Sequence, residues 1–193
     1  MTKLWRAWRL GAVALVAVSA AFAPSASAAG AGAFVIRNAY TQLSHGVYYL
    51  DADMRLTLAR NAVEALNNGV PLVFKIEIEI TRRRAFLWDP TVADLTQSYR
   101  ITYHALSRRY VVRSLNSGRQ ASFRSYEAAF EHLGYVNSLP VIDAALLDPD
   151  DQYDISIRAV LNVKVIPTGF GLLTSLFSGA DQASDWREWP LTG

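Results

Sequence analysis

Strict two-residue alternation of apolar and polar side chains constrains this chain more than any other feature. Val70, Leu72, Phe74, Ile76, Ile78 and Ile80 occupy every second position, with Lys75, Glu77, Glu79 and Thr81 between them. Successive side chains of an extended strand point to opposite faces, so the pattern predicts a strand with one buried and one solvated side. Tyr48, Leu50, Ala52, Met54, Leu56 and Leu58 repeat it against Tyr49, Asp51, Asp53, Arg55 and Thr57. Tyr153, Ile155, Ile157, Ala159, Leu161, Val163 and Val165 repeat it against Asp154, Ser156, Arg158, Val160, Asn162 and Lys164. In Tyr99, Ile101, Tyr103 and Ala105 the pattern turns near Ser107 and Arg108 into Tyr110, Val111 and Val112, which reads as a hairpin. One-faced alternation on several strands favours antiparallel sheets stacked as a sandwich.

Two short helices interrupt the strands. Leu58, Ala62, Ala65 and Leu66 share a helical face, and Asn67-Asn68-Gly69 supplies its stop. In "SFRSYEAAFEHLG", Ser125 caps a second helix, Glu127 suits its first turn, and Tyr126, Ala129, Phe130 and Leu133 form its apolar stripe before Gly134.

The N-terminus reads as an export signal. Lys3, Arg6 and Arg9 precede an uncharged apolar run, residues 10–23, and Ala26-Ser27-Ala28 offers a cleavage site. That run is shorter than the ~20 residues of a membrane-spanning helix. Cleavage removes three of the 19 basic residues and none of the 17 acidic ones, leaving a nearly neutral chain. A nucleic-acid partner is not expected, because it would need a strongly basic surface. There is no cysteine, which excludes thiolate metal sites, thiol redox chemistry and cysteine nucleophiles. The expected fold is mainly β: an antiparallel, immunoglobulin-like β-sandwich with two short helices. It fills residues 29–193 as a single domain, after a signal peptide of residues 1–28.

The texture of several segments also resembles a known family. "ALNNGVPLVFKIEIEITRRRAFLWD", "YRITYHALSRRYVV", "SFRSYEAAFEHLG", "YDISIRAVLNVKVIP" and "SDWREWPL" are similar to secreted proteobacterial proteins grouped as domain-of-unknown-function family 4390. The resemblance covers nearly the whole chain after the signal and carries no catalytic signature. It implies a periplasmic address and a membrane sensor kinase as a partner.

The arginine run that ends the first strand is the main candidate site. Arg82 and Arg84 continue the inward parity that ends at Ile80. Burying unpaired guanidinium groups is costly. Either the strand bends near Thr81 or the arginines meet acids, for which Asp89, Asp94 and the aspartates around Asp150 are available. A guanidinium fork also suits an anionic ligand or a lipid headgroup. Trp88 follows the run. After Pro167 the periodicity dissolves into a segment with Phe170, Phe177, Trp186 and Trp189. That segment either covers a sheet edge or forms a docking patch for a protein or the membrane surface.

The remaining polar groups are expected to be structural. Asp51 with Asp53, and Glu77 with Glu79, lie two apart on solvated faces, a spacing seen in paired catalytic carboxylates. Arg55 and Lys75 share those faces, which favours cross-strand charge pairing. Asp148, Asp150, Asp151 and Asp154 lack the glycine and glutamate of an EF-hand loop and read as a turn. His45, His104 and His132 have no metal-ligand spacing, and "GFG" at 169–171 is no dinucleotide loop. No cofactor or metal is expected. The functional expectation is a non-enzymatic periplasmic binding or adaptor module that engages a membrane-protein ectodomain or another envelope component. Its contacts would come from Arg82, Arg84, Trp88, Phe170, Phe177, Trp186 and Trp189. The alternative is a periplasmic hydrolase whose site is assembled from distant strands.

Overall fold

All four alternating segments are strands in the computed structural model, which describes residues 32–84, 88–163 and 181–192. The expected signal peptide, Phe170 and Phe177 lie outside those residues. The elements run β1 (Ala33–Ser44), β2 (Val47–Thr57), α1 (Arg60–Asn67), β3 (Leu72–Arg82), β4 (Thr91–His104), β5 (Arg109–Ser114) and β6 (Gln120–Phe123). Then come α2 (Tyr126–Leu133), β7 (Tyr135–Asp143), a 3-10 turn (Ala144–Leu146), β8 (Tyr153–Val163), β9 (Gln182–Ala183) and β10 (Arg187–Pro190).

Two antiparallel sheets form. The smaller has the order β1-β2-β7 and the larger β10-β8-β3-β4-β5-β6, with β9 also pairing β8. In immunoglobulin terms the first is A-B-E and the second G-F-C-C′-C″ with one added edge strand. The chain crosses between sheets through α1, through α2 and through the 3-10 turn that joins β7 to β8. The sandwich is therefore immunoglobulin-like in connectivity as well as in shape.

The inward stripes meet between the sheets. Leu72, Phe74, Ile76, Ile78 and Ile80 of β3 face Leu50, Ala52 and Met54 of β2, flanked by Ile155, Ile157, Ala159 and Leu161 of β8. Each large side chain removed from water contributes about 2 kcal/mol. The Phe74 ring lies edge-on to Phe34 of β1 and to Phe130 of α2, with centroids 6.0 and 6.2 Å apart.

Both helices end as their residues require, for different reasons. Gly69 takes φ +83° after α1, a conformation open to glycine. Gly134 ends α2 with an ordinary φ of −70°. Its hydrogen side chain instead lets β2 approach: a Cβ there would strike the Met54 carbonyl oxygen, and Met54 N–H donates to the Gly134 carbonyl at 2.8 Å. Ser125 caps α2, its hydroxyl accepting from Ala128 N–H at 3.2 Å.

Three strands have no clear alternation in the sequence. In β1, Phe34 and Ile36 are buried at even positions and Ala39 at an odd one, because a bulge between Ile36 and Asn38 reverses the parity. In β7, two register shifts, Pro140, and Ser138 at φ +47° break the period. β6 is only four residues long. Among the described residues no helix is long and apolar enough to cross a membrane.

Candidate functional site

The arginine run lies at the end of the sandwich where β3 finishes and β8 begins. The strand slips register against β4 between Ile80 and Thr81, while its pairing with β8 continues to Arg82 opposite Tyr153. The ladder thus breaks on one side only, and each arginine takes a different course.

Arg82 donates from Nη1 to Asp151 Oδ2 at 2.8 Å. Arg83 forks onto Asp154, Nε donating to Oδ2 at 2.9 Å and Nη2 to Oδ1. Asp154 is 5% exposed, the only buried acid among the described residues. Hydrogen bonding to these carboxylates, and their charge, raise both guanidinium pKa values above the ordinary arginine value. Arg84 is exposed; its main-chain N–H donates to Asp89 Oδ1 at 2.6 Å, which shapes the connection to β4. Arg82 N–H to the Pro90 carbonyl at 3.0 Å and Arg83 N–H to the Gln152 carbonyl at 2.8 Å fasten the base of that connection.

The sequence therefore names the right acids but misses the central pair. Arg83 has outward parity, as does Asp154 on β8, and neither position is conspicuous by itself. Their contact spans 71 residues and exists only once β3 and β8 are paired.

Beside this pair is a cavity of about 510 Å³ bordered by Tyr48, Arg83, Leu147, Asp151, Tyr153 and Leu191. The aspartates along its rim make a turn: Asp150 N–H donates to Asp148 Oδ1 at 3.1 Å and Asp148 N–H to the Tyr153 hydroxyl at 2.9 Å. A second, open cavity of about 640 Å³ lies between β7 and the inner face of β4, β5 and β6, lined by Tyr99, Val112, Arg119, His132 and Leu139 among others. Arg83, beside the first cavity, holds its proton more tightly than usual through its carboxylate, and Tyr99, lining the second, does so through burial. Neither is suited to serve as a base near neutral pH. Among the described residues no cluster of three metal-ligating side chains occurs.

The tryptophans part company. Trp88, on the connection between β3 and β4, is 89% exposed. Leu146, in the 3-10 turn at the same end, is 74% exposed. Trp189 of β10 packs against the core and its Nε1 donates to Thr41 Oγ1 at 3.4 Å. Trp186 lies over the Arg158 guanidinium, 4.6 Å from ring centre, and Arg158 in turn holds Glu77 through Nη2 at 2.6 Å. Residues 181–192 thus close the β8 edge. Ser184 exchanges bonds with Ala159, and Leu191 N–H donates to the Tyr153 carbonyl at 2.8 Å.

Asp51, Asp53, Glu77, His45 and His132 each have a defined place within the fold. Asp53 pairs across strands with Arg37 at 2.8 Å. Asp51 accepts from Ser138 N–H at 3.0 Å. Glu77 pairs across strands with Arg158. His132 stacks on Phe123 at 5.1 Å, and His45 turns the β1–β2 hairpin with φ +50°.

Residues 31–190 match the protein family described as Domain of unknown function (DUF4390). No curated protein and no solved structure matches the chain.

Proposed function

The chain belongs to the DUF4390 family, and from that starting point we propose that it is a non-enzymatic binding or adaptor module of the bacterial periplasm. It engages a membrane-protein ectodomain, a sensor kinase being the first candidate, or another envelope component. The export-signal texture of residues 1–28 supports the address.

One observation carries the binding role. Trp88 stands 89% exposed on a connection whose base is fastened by main-chain bonds from Arg82 and Arg83. Tryptophan so placed offers a large apolar surface at little cost in ordering, as binding hot spots do. Arg84 beside it and Leu146 at the same end extend the surface with a cation and a second apolar group. Arg82 and Trp189 act behind that surface, by holding the strands that present it.

The test is a photo-crosslinking amino acid at position 84, beside Trp88, in the exporting cell, followed by mass spectrometry. A membrane-protein ectodomain or envelope protein is expected, and Trp88→Ala is expected to release it while thermal melting stays unchanged. Capture of the same proteins from position 84 with Trp88 and with Trp88→Ala, or no crosslink from position 84, would reject this surface.

A further inference from the structure

The outer face of the larger sheet carries charges that the fold sets against their own kind. Glu79 of β3 stands directly opposite Asp94 of β4. On its other side Glu79 faces Ser156 of β8, and Ser156 faces Glu188 of β10. One row across the sheet thus reads Glu188, Ser156, Glu79, Asp94. Six residues further along β4, Arg100 stands directly opposite Arg113 of β5, and Lys75 lies diagonally beside them on β3. Like charges directly opposite one another repel. None of Glu79, Asp94, Arg100 and Arg113 has an ion pair among the described residues. Asp94, Arg100 and Arg113 are exposed. By contrast, Glu77 on the same face and Asp53 on the smaller sheet are each neutralised by an arginine.

Six strand residues span about 20 Å, so a negative row and a positive row lie about that far apart on one face. Between them lie Thr96, Ser98 and Val160, together with the Glu77–Arg158 pair, whose charges cancel and whose guanidinium carries the Trp186 ring. A half-turn about an axis lying in the face and perpendicular to the strands places each row on the row of opposite sign. A two-fold interface demands this self-complementarity. We infer that this face is the interface of a homodimer, in which Arg100 and Arg113 of one copy meet Glu79 and Asp94 of the other, twice per dimer. An acidic protein would match only the arginine row, whereas a second copy of this chain matches both rows at the right separation. Strands of 4, 11, 11, 14, 6 and 4 residues, at about 3.4 Å per residue and about 4.8 Å spacing, offer at most roughly 800 Å², the scale of the ~800 Å² per partner of a stable interface. The acidic row lies near the connection that carries Trp88, but Trp88→Ala changes neither row and the charge reversals keep Trp88, so either proposal can fail alone.

The test is sedimentation of the full chain, expressed from residue 1 and purified, across the micromolar range at low and high salt. A dimer is expected at low salt, with its dissociation constant rising at least about tenfold as salt screens the rows. Arg100→Glu with Arg113→Glu makes both rows acidic, and Glu79→Arg with Asp94→Arg makes both basic. Each double variant is expected to be monomeric alone, and the two mixed are expected to form a heterodimer. Single reversals at Asp94 and Arg100 are expected to weaken the dimer should a double variant not fold. A wild-type monomer under every condition, charge-reversed variants that associate like wild type, or a mixture that stays monomeric would overturn the inference.

Discussion

Asp154 and its fork to Arg83 show how a single side chain can hold one end of this molecule. The carboxylate is buried and its partner is half in water, so the pair keeps the attraction of a buried acid without burying both charges. Asp154→Ala is expected to cost about 2 kcal/mol, the scale of hydrogen bonds to charged groups, read by urea denaturation. Arg84→Ala, whose main-chain bond to Asp89 survives the change, is expected to leave the melting temperature where it is. The tyrosines define an alkaline limit. Burial raises the pKa of Tyr99 and Tyr110, and a hydrogen bond with Glu127 raises that of Tyr126. The unfolded chain loses these protons first, near the ordinary value of 10.0, so their contribution is complete below that pH and is lost as pH rises through the folded values. Denaturation midpoints measured on both sides of that pH, beside phenolate absorbance, check the sign.

At the scale of elements, the irregular places have definite causes. Ser138 sits in the left-handed region inside β7, where a side chain costs about 1–2 kcal/mol. Ser138→Gly is therefore expected to stabilise the chain by about 1 kcal/mol, since its N–H bond to Asp51 is made by main chain and persists. Gly134→Ala has the opposite sign. A methyl group there meets main chain of β2, which cannot step aside, so a loss of about 2 kcal/mol is expected in the same denaturation measurement. β10 is short, yet it covers the edge of β8 and brings Trp189 to the core. A chain ending after Pro167 is expected to melt at a lower temperature because it leaves that edge bare. Such a truncation would mix lost stability with lost binding, which is why Trp88→Ala is the cleaner probe of the partner surface.

At the scale of the whole molecule, the three-stranded sheet is much narrower than the sheet it faces. Among the described residues no strand pairs beyond β7, and the uncovered inner face of β4, β5 and β6 forms the open cavity near Tyr99. The larger sheet also displays the broad outer face with its two rows of charge. The molecule therefore has two kinds of surface: an end where an aromatic ring projects from a fastened connection, and a flat side whose charges call for an equal and opposite partner.

The residues themselves determined the sheets' buried faces, the two helices and their caps, because alternation and capping are read within a few positions of one chain segment. β3 and β8 were legible for that reason. β1 and β7 were not, since one inserted residue at a bulge reverses every later side chain and hides the period. Tertiary structure alone decided that Arg83 rather than Arg84 meets a buried acid, that Trp189 turns inward while Trp88 does not, and that Arg100 lies against Arg113. Those outcomes depend on which strands become neighbours, and a charge can respond only to charges that folding brings within a few ångströms.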